Sequence, residues 1–110
     1  MRKRTMQEAT FLILTALAGG SQHGYGIIMD VEQISEGRVR LRAGTLYAAL
    51  ERLCAERLVE AGHEEVVDNR FRRYYRLTSA GEKRLAAEAA RLQANALAAM
   101  SRLNPAAALR

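Results

Sequence analysis

The stretch from Ser79 to Leu103 constrains this chain most. Leu85, Ala89, Leu92, Ala96, Ala99 and Leu103 recur in alternating steps of four and three, the period of a helix with one apolar stripe. At ~1.5 Å per residue such a helix is roughly 37 Å long. A chain of 110 residues builds one domain, too small to cover that stripe. The pattern therefore predicts a second copy of the chain against it, and its alanines permit close helix approach. Ser79 with Glu82 three residues on has the spacing of a capping box, so Ser79 is preferred over Thr78 as the cap. Asn104 before Pro105 ends the helix, and the tail from Ala106 to Arg110 is expected to fray.

Upstream, apolar periodicity predicts three shorter helices and a hairpin. The first helix runs from Thr5 to Ala18, with a capping box between Thr5 and Glu8. Phe11, Leu12, Ile13, Leu14 and Leu17 leave it little polar face, so it is buried on most sides. Gly19-Gly20-Ser21 ends it. The second helix runs from Gly24 to Ser35 with Ile27, Val31 and Ile34 as its stripe, and Gly37 terminates it. In Arg38–Arg42 basic and apolar residues alternate, as in a short half-buried strand or an extended linker. The third helix runs from Ala43 to Arg57. Leu46, Leu50 and Leu53 form its core stripe, and Thr45, Ala48 and Arg52 lie on another face. His63–Val67 and Phe71–Leu77 then read as two strands around Asp68-Asn69, residues that tolerate positive φ. Phe71, Arg73, Tyr75 and Leu77 share one face of the hairpin; Arg72, Tyr74 and Arg76 share the other.

Charge narrows the function. The net charge is +5 and the pI about 10.0, which favours a polyanionic partner, nucleic acid or an anionic membrane face. Cys54 is the only cysteine, so no internal disulfide forms, as expected for a reducing cytosol. Phe11–Ala18 is too short to span a bilayer and carries no cleavage pattern, so a cytoplasmic protein without a membrane partner is expected. Two histidines and one cysteine, far apart in sequence, make a poor metal set. There is no nucleophile–base pair, no paired carboxylates on one face and no glycine-rich phosphate loop, so neither an enzyme nor a cofactor is expected. His23 reads as a hydrogen-bonding residue at a helix start, His63 as a strand surface residue, and Cys54 as inert packing. Tyr25, Tyr74 and Tyr75 read as core or edge residues.

Three helices followed by a basic hairpin and a long helix give a mainly α (α+β) winged helix-turn-helix, residues 1–78, with a dimerisation helix and tail, residues 79–110. In that plan one helix enters the major groove of double-stranded DNA and the wing reaches phosphates or the adjacent minor groove. Three segments resemble the PadR-like transcriptional regulators. His23-Gly24-Tyr25-Gly26-Ile27 resembles that family's HGY-x-I segment, and Gly44–Leu53 its GTLY-x-x-L-x-R-L recognition helix. Arg70–Gly81 resembles its R-x-R-[KR]-Y-Y-x-LT-x-x-G wing and helix start. The short chain with one C-terminal helix is similar to the family's smaller subgroup. The resemblance implies a homodimeric repressor on a two-fold symmetric operator, released by a small aromatic or multidrug-like ligand near the dimer interface. The chain departs from drug-binding members of that subgroup in having no tryptophan, and Gly26 replaces the acidic residue common after HGY.

The candidate DNA-binding residues are Arg42, Thr45, Tyr47, Arg52, Arg70, Arg72 and Arg73. Hydroxyls in the first turn of the third helix can donate to phosphates and fix register. Arg42 and Arg52 can pair bidentately with guanine or with phosphate, while Glu56 offers Arg52 an intrahelical partner. Arg70, Arg72 and Arg73 concentrate positive charge on the wing, where Glu64, Glu65 and Asp68 are close enough in sequence to neutralise it. Arg73 can instead turn inward beside Phe71 and Tyr75. A hydrophobic effector between two copies would be lined by Met6, Ala9, Ala89, Leu92, Gln93, Ala96 and Met100, with methionines giving it adaptability. The competing reading is an interaction or assembly module that keeps the winged fold without specific DNA binding.

Overall fold

Helix α1 (Glu8–Ala18) packs into the middle of the core, leaving Glu8, Ala9, Phe11, Thr15 and Ala18 partly or fully open to water. Thr10, Leu12, Ile13, Leu14, Ala16 and Leu17 are all buried. The computed structural model describes residues 5–104 and Ala106. Around α1 stand a short strand β1 (Gln22–His23), helices α2 (Gly24–Ile34) and α3 (Ala43–Ala55), a hairpin of β2 (Val59–Val67) and β3 (Arg70–Leu77), and helix α4 (Ser79–Leu103). The three strands form an antiparallel sheet in the order β1-β3-β2.

The core is one cluster. Ile13 and Leu14 of α1, Ile27 and Val31 of α2, and Leu46, Leu50 and Leu53 of α3 are at most 1 % exposed, joined by Val59 and Tyr75 from the hairpin. Fully burying each such aliphatic side chain contributes about 1.5–3 kcal/mol. The core covers only the first two turns of the α2 stripe: Ile34, expected inside, is 41 % exposed. Tyr25, expected in the core or at its edge, is 65 % exposed. Two residues before Ile27, it lies about 200° round the helix from the buried stripe.

Local chemistry moves several boundaries. The Thr5–Glu8 capping box does not form. Gln7 occupies the cap position in extended conformation without a side-chain cap bond, so α1 begins at Glu8 and Thr5 lies outside it. Glu8, in the first turn, still complements the helix dipole. Helix α2 closes in a left-handed turn at Glu36 (φ 54°) and Gly37 (φ 84°), with Gly37 N–H donating to the Glu32 carbonyl at 2.8 Å. Helix α3 stops two residues early, because Arg57 takes φ 62°. Thr78, not Ser79, caps α4. Its Oγ1 accepts from Gly81 N–H at 2.9 Å and donates to the Arg57 carbonyl at 2.7 Å, tying the new helix to the end of α3.

The third strand of the sheet is β1, ahead of α2, where Gln22 pairs with Tyr75 and His23 with Tyr74. Arg38–Arg42 is the extended linker, outside the sheet. Val39 and Leu41 pack against the core while Arg38, Arg40 and Arg42 stay exposed. At the hairpin tip Asp68 (φ 52°) and Asn69 (φ 62°) both adopt the left-handed conformation of a type I′ turn. The expected fraying of residues 106–110 lies outside the described residues except at Ala106.

Only Gly81 and Glu88 of α4 are buried. Glu88 pairs along its own helix with Arg84 at 3.5 Å and with Arg91. The Arg91 hydrogen bond, offset in part by burial, holds the Glu88 carboxyl below its ordinary value. Beyond Ala89 the helix leaves the domain: Leu92 is 39 %, Leu97 60 %, Met100 66 % and Leu103 85 % exposed.

A Cβ on Gly81 would lie 2.0 Å from the Leu58 backbone oxygen, where no flexible side chain can yield. Gly81→Ala is therefore expected to lower the unfolding free energy by about 3 kcal/mol or more, measured by urea denaturation. Gly44→Ala, whose Cβ meets nothing within 4 Å, is expected to be neutral or to stabilise by up to about 1 kcal/mol.

Candidate nucleic-acid interface

The leucine stripe of α3 faces α1 and α2, which turns Thr45, Tyr47 and Ala48 outward. Arg42 is the residue that enters the helix. Its backbone is extended and its carbonyl accepts from Leu46 N–H at 2.9 Å, while its side chain is exposed. The start of α2 lies beside this turn. His23 caps α2, with Nδ1 accepting from Gly26 N–H at 3.2 Å, as its place at the helix start implied. Tyr47 lies over Gly24: a Cβ there would stand 2.3 Å from the phenol oxygen. Glycine at position 24 leaves room for the Tyr47 ring to lie against the start of α2.

The wing closes a groove against these turns. His23, Gly24, Tyr25 and Tyr47 line one wall and Arg70, Phe71, Arg72 and Arg73 the other, enclosing about 410 Å³. The groove walls carry three arginines and no carboxylate. Three of the four hairpin acids are engaged elsewhere: Glu64 pairs with Arg73 at 3.1 Å, Glu60 with Arg76 at 2.7 Å, and Glu65 accepts from the Tyr74 hydroxyl at 2.6 Å, while Asp68 sits at the turn itself. Among the described residues Arg42, Arg70 and Arg72 are in no ion pair. The Glu64 hydrogen bond raises the basicity of Arg73, whose guanidinium also lies 5.8 Å from the Phe71 ring centre.

A ring stack fixes the wing to α2. Tyr74 lies parallel to His63 at 4.2 Å and edge-on to His23 at 5.3 Å. Burial, then the charge of Arg72, lowers the His23 pKa from its ordinary 6.5, against a smaller opposing effect of Glu65. The neutral ring is the form that can accept at Nδ1. Burial pushes the Cys54 thiol up, away from thiolate chemistry.

Of the seven candidate residues, Tyr47, Arg70, Arg72 and Arg73 thus meet in one groove, with Arg42 and Thr45 on the adjoining exposed turn. Arg52 stands apart. Its guanidinium donates to Thr10 Oγ1 at 3.0 Å and lines a separate cavity of about 410 Å³ with Met6, Glu56 and Arg84. Ala89 lines a third cavity, about 590 Å³, with Leu17, Leu77 and Leu85. Met6 and Ala89, grouped as candidate effector residues, therefore border different cavities of one chain. Tyr25 and Phe71 join the groove unforeseen. The helical period exposes Tyr25, but nothing in the sequence tells that a strand residue at the tip of a hairpin overhangs a helix start. No group of three or more His, Cys, Asp or Glu able to hold a metal is found among the described residues. None of the described helices is long and apolar enough to cross a membrane.

The model of the "transcriptional regulator PadR-like family" matches residues 13–87. The chain belongs to this family. The PadR-like match runs from the middle of α1 through the groove to the start of α4, and contains the three segments that carried the motif resemblance. Among curated relatives, an uncharacterized protein X of Lysinibacillus sphaericus is 31 % identical over 71 residues. An uncharacterized 37.1 kDa protein in transposon TN4556 of Streptomyces fradiae is 43 % identical over 82 residues. These alignments take in 64 % and 74 % of this chain, which spans 65 % and 22 % of the relatives' lengths. The fold is shared with Bacillus subtilis PadR, solved in complex with operator DNA (TM-score 0.64, 20 % identity, 73 % of this chain and 45 % of that one). It is also shared with Bordetella bronchiseptica BpsR, whose DNA binding is regulated by 6-hydroxynicotinic acid (TM-score 0.69, 20 % identity, 96 % and 74 %).

Because protonation of His23 is disfavoured in the folded PadR-like domain, its contribution is fully present above about pH 6.5. As the pH falls through that value the unfolded chain takes up a proton that the native state refuses, and stability drops until the native pKa is passed. Between about pH 7.5 and pH 5.5 the melting temperature is expected to fall. His23→Asn, which can cap without titrating, is expected to remove that part of the fall, read by circular dichroism melts.

Proposed function

We propose that this PadR-like chain is a sequence-specific, ligand-responsive transcriptional repressor that binds a palindromic operator as a homodimer in the cytoplasm. The observation that carries the reading is the groove between wing and helix starts, lined by three arginines and no carboxylate beside the exposed first turn of α3. A DNA backbone strand fits between a helix in the major groove and a wing over the next minor groove. In this reading Arg42 and Thr45 meet base edges, while Tyr47, Arg70, Arg72 and Arg73 hold phosphates. Arg52, tied to Thr10, supports the packing of α3 on α1.

Residues 1–78 would form the DNA-binding domain and residues 79–110 the dimerisation helix and tail. The exposed leucines and Met100 of α4 favour a second copy as their cover. A small hydrophobic or aromatic effector would bind between the copies, bordered by Met6, Ala9, Ala89, Leu92, Gln93, Ala96 and Met100. Ligand control of DNA binding in the Bordetella protein gives that part its precedent.

The assignment of roles is tested by binding to duplexes from the region upstream of the chain's own coding sequence, at several salt concentrations. Arg42→Ala or Thr45→Ala is expected to cost about 1–3 kcal/mol and to relax preference at one or two base pairs. Arg70→Ala or Arg72→Ala is expected to weaken all sequences alike and to reduce the salt slope by about 1. Binding that ignores both salt and these substitutions would favour the interaction-module reading.

A further inference from the structure

The wing tip carries a pair of large apolar side chains in water. Val66 and Phe71 are 71 % and 62 % exposed and stand directly opposite each other in the β2–β3 register. Opposed residues of an antiparallel pair share a face. The register shift between Ala61 and Glu64 keeps Glu64 and Val66 on the face of Tyr75, Arg73 and Phe71. Near the hairpin root that face covers the core, with Val59 and Tyr75 buried. At the tip Val66 and Phe71 are exposed, and the groove beside the starts of α2 and α3 is lined by Phe71 and Arg73 of this face together with Arg70 and Arg72 of the other, opposite Tyr25 and Tyr47.

The surroundings of Phe71 choose its partner. Arg70, Arg72 and Arg73 flank it in the groove wall, and the Arg73 guanidinium lies 5.8 Å from the ring centre. An apolar protein surface would gain nothing from three arginines. A partner that offers phosphates and stackable, apolar edges a few ångströms apart gains from both. That partner is duplex DNA at its minor groove, where apolar side chains set between arginines act as wedges against base steps.

Given the DNA-binding reading, on which this rests, we propose that Phe71, backed by Val66, is a wedge that enters the minor groove beside each half-site and reads the deformability of one base step. Pyrimidine–purine steps unstack most easily, so the wedge favours TA or CA at that position without a hydrogen bond to either base. Arg70 and Arg72 hold the flanking phosphates and set the depth of entry.

The test uses the full chain and a set of duplexes that share one selected operator and differ only in the step beneath the wing: TA, CA, AA or GC. Affinity is measured by anisotropy, and bending by energy transfer between the duplex ends. The wild type is expected to prefer TA and CA and to bend them. Phe71→Ala is expected to lose about tenfold on those duplexes, to level the four affinities and to reduce the bend, with the salt slope unchanged. Phe71→Leu is expected to keep most of the preference. Arg70→Ala is expected to weaken all four duplexes equally. Melting curves check that Phe71→Ala, at an exposed position, stays folded. Equal loss on all four duplexes, or none, with the step preference intact in Phe71→Ala overturns the wedge while leaving the DNA reading standing. Failure of the wild type to bind any of the duplexes overturns the DNA reading itself.

Discussion

Burial of Leu46, Leu50 and Leu53 decides what the rest of this structure can do. Each is at most 1 % exposed, packed in one cluster with Ile13, Leu14, Ile27 and Val31. Truncating any of them to alanine would cost about 2–5 kcal/mol, so the rotation of α3 about its axis is set firmly. With the leucines inward, Thr45 and Ala48 can only face out, and Tyr47 is brought over the start of α2. The candidate interface is therefore a consequence of core packing.

A second constraint couples the wing to this rigid pair of helices. Two residues, Gln22 and His23, add a strand to the hairpin, and the second of them also caps α2. Tyr74 then sits between His23 and His63. Displacing Tyr74 or Tyr75 of the wing would therefore disturb the start of α2. Charge is sorted over the same elements: Glu64 and Glu60 pair with Arg73 and Arg76, while among the described residues Arg70 and Arg72 are in no ion pair.

Much of this was legible in the sequence, for reasons that vary by element. The cores of α1 and α3 and the type I′ hairpin were readable because long apolar stripes and positive-φ residues are strong local signals. So was the end of α4 at Leu103, where proline follows. The two-residue strand was not readable, since a period of two cannot show itself in two residues. The caps failed at both ends that were assigned from spacing alone: Gln7 displaces Thr5, and Thr78 displaces Ser79 because it also reaches the Arg57 carbonyl, 21 residues back. The same long-range logic took Arg52 to Thr10 instead of to Glu56 one turn away. Phe71 and Tyr25 were missed at the site because alternation and helical period tell which residues share a face, but not what stands opposite that face.

Helix α4 leaves its leucines and Met100 in water from Leu92 onward, and in the proposed function a second copy on the same DNA covers them. The direct measurement is selection of bound duplexes from a random library by the purified full chain. Recovery of a two-fold symmetric motif, with half-sites about one helical turn or a multiple of it apart, is the predicted result. Salt-dependent retention of duplexes with no enriched motif would contradict it, leaving a basic winged fold that holds DNA only through released counterions.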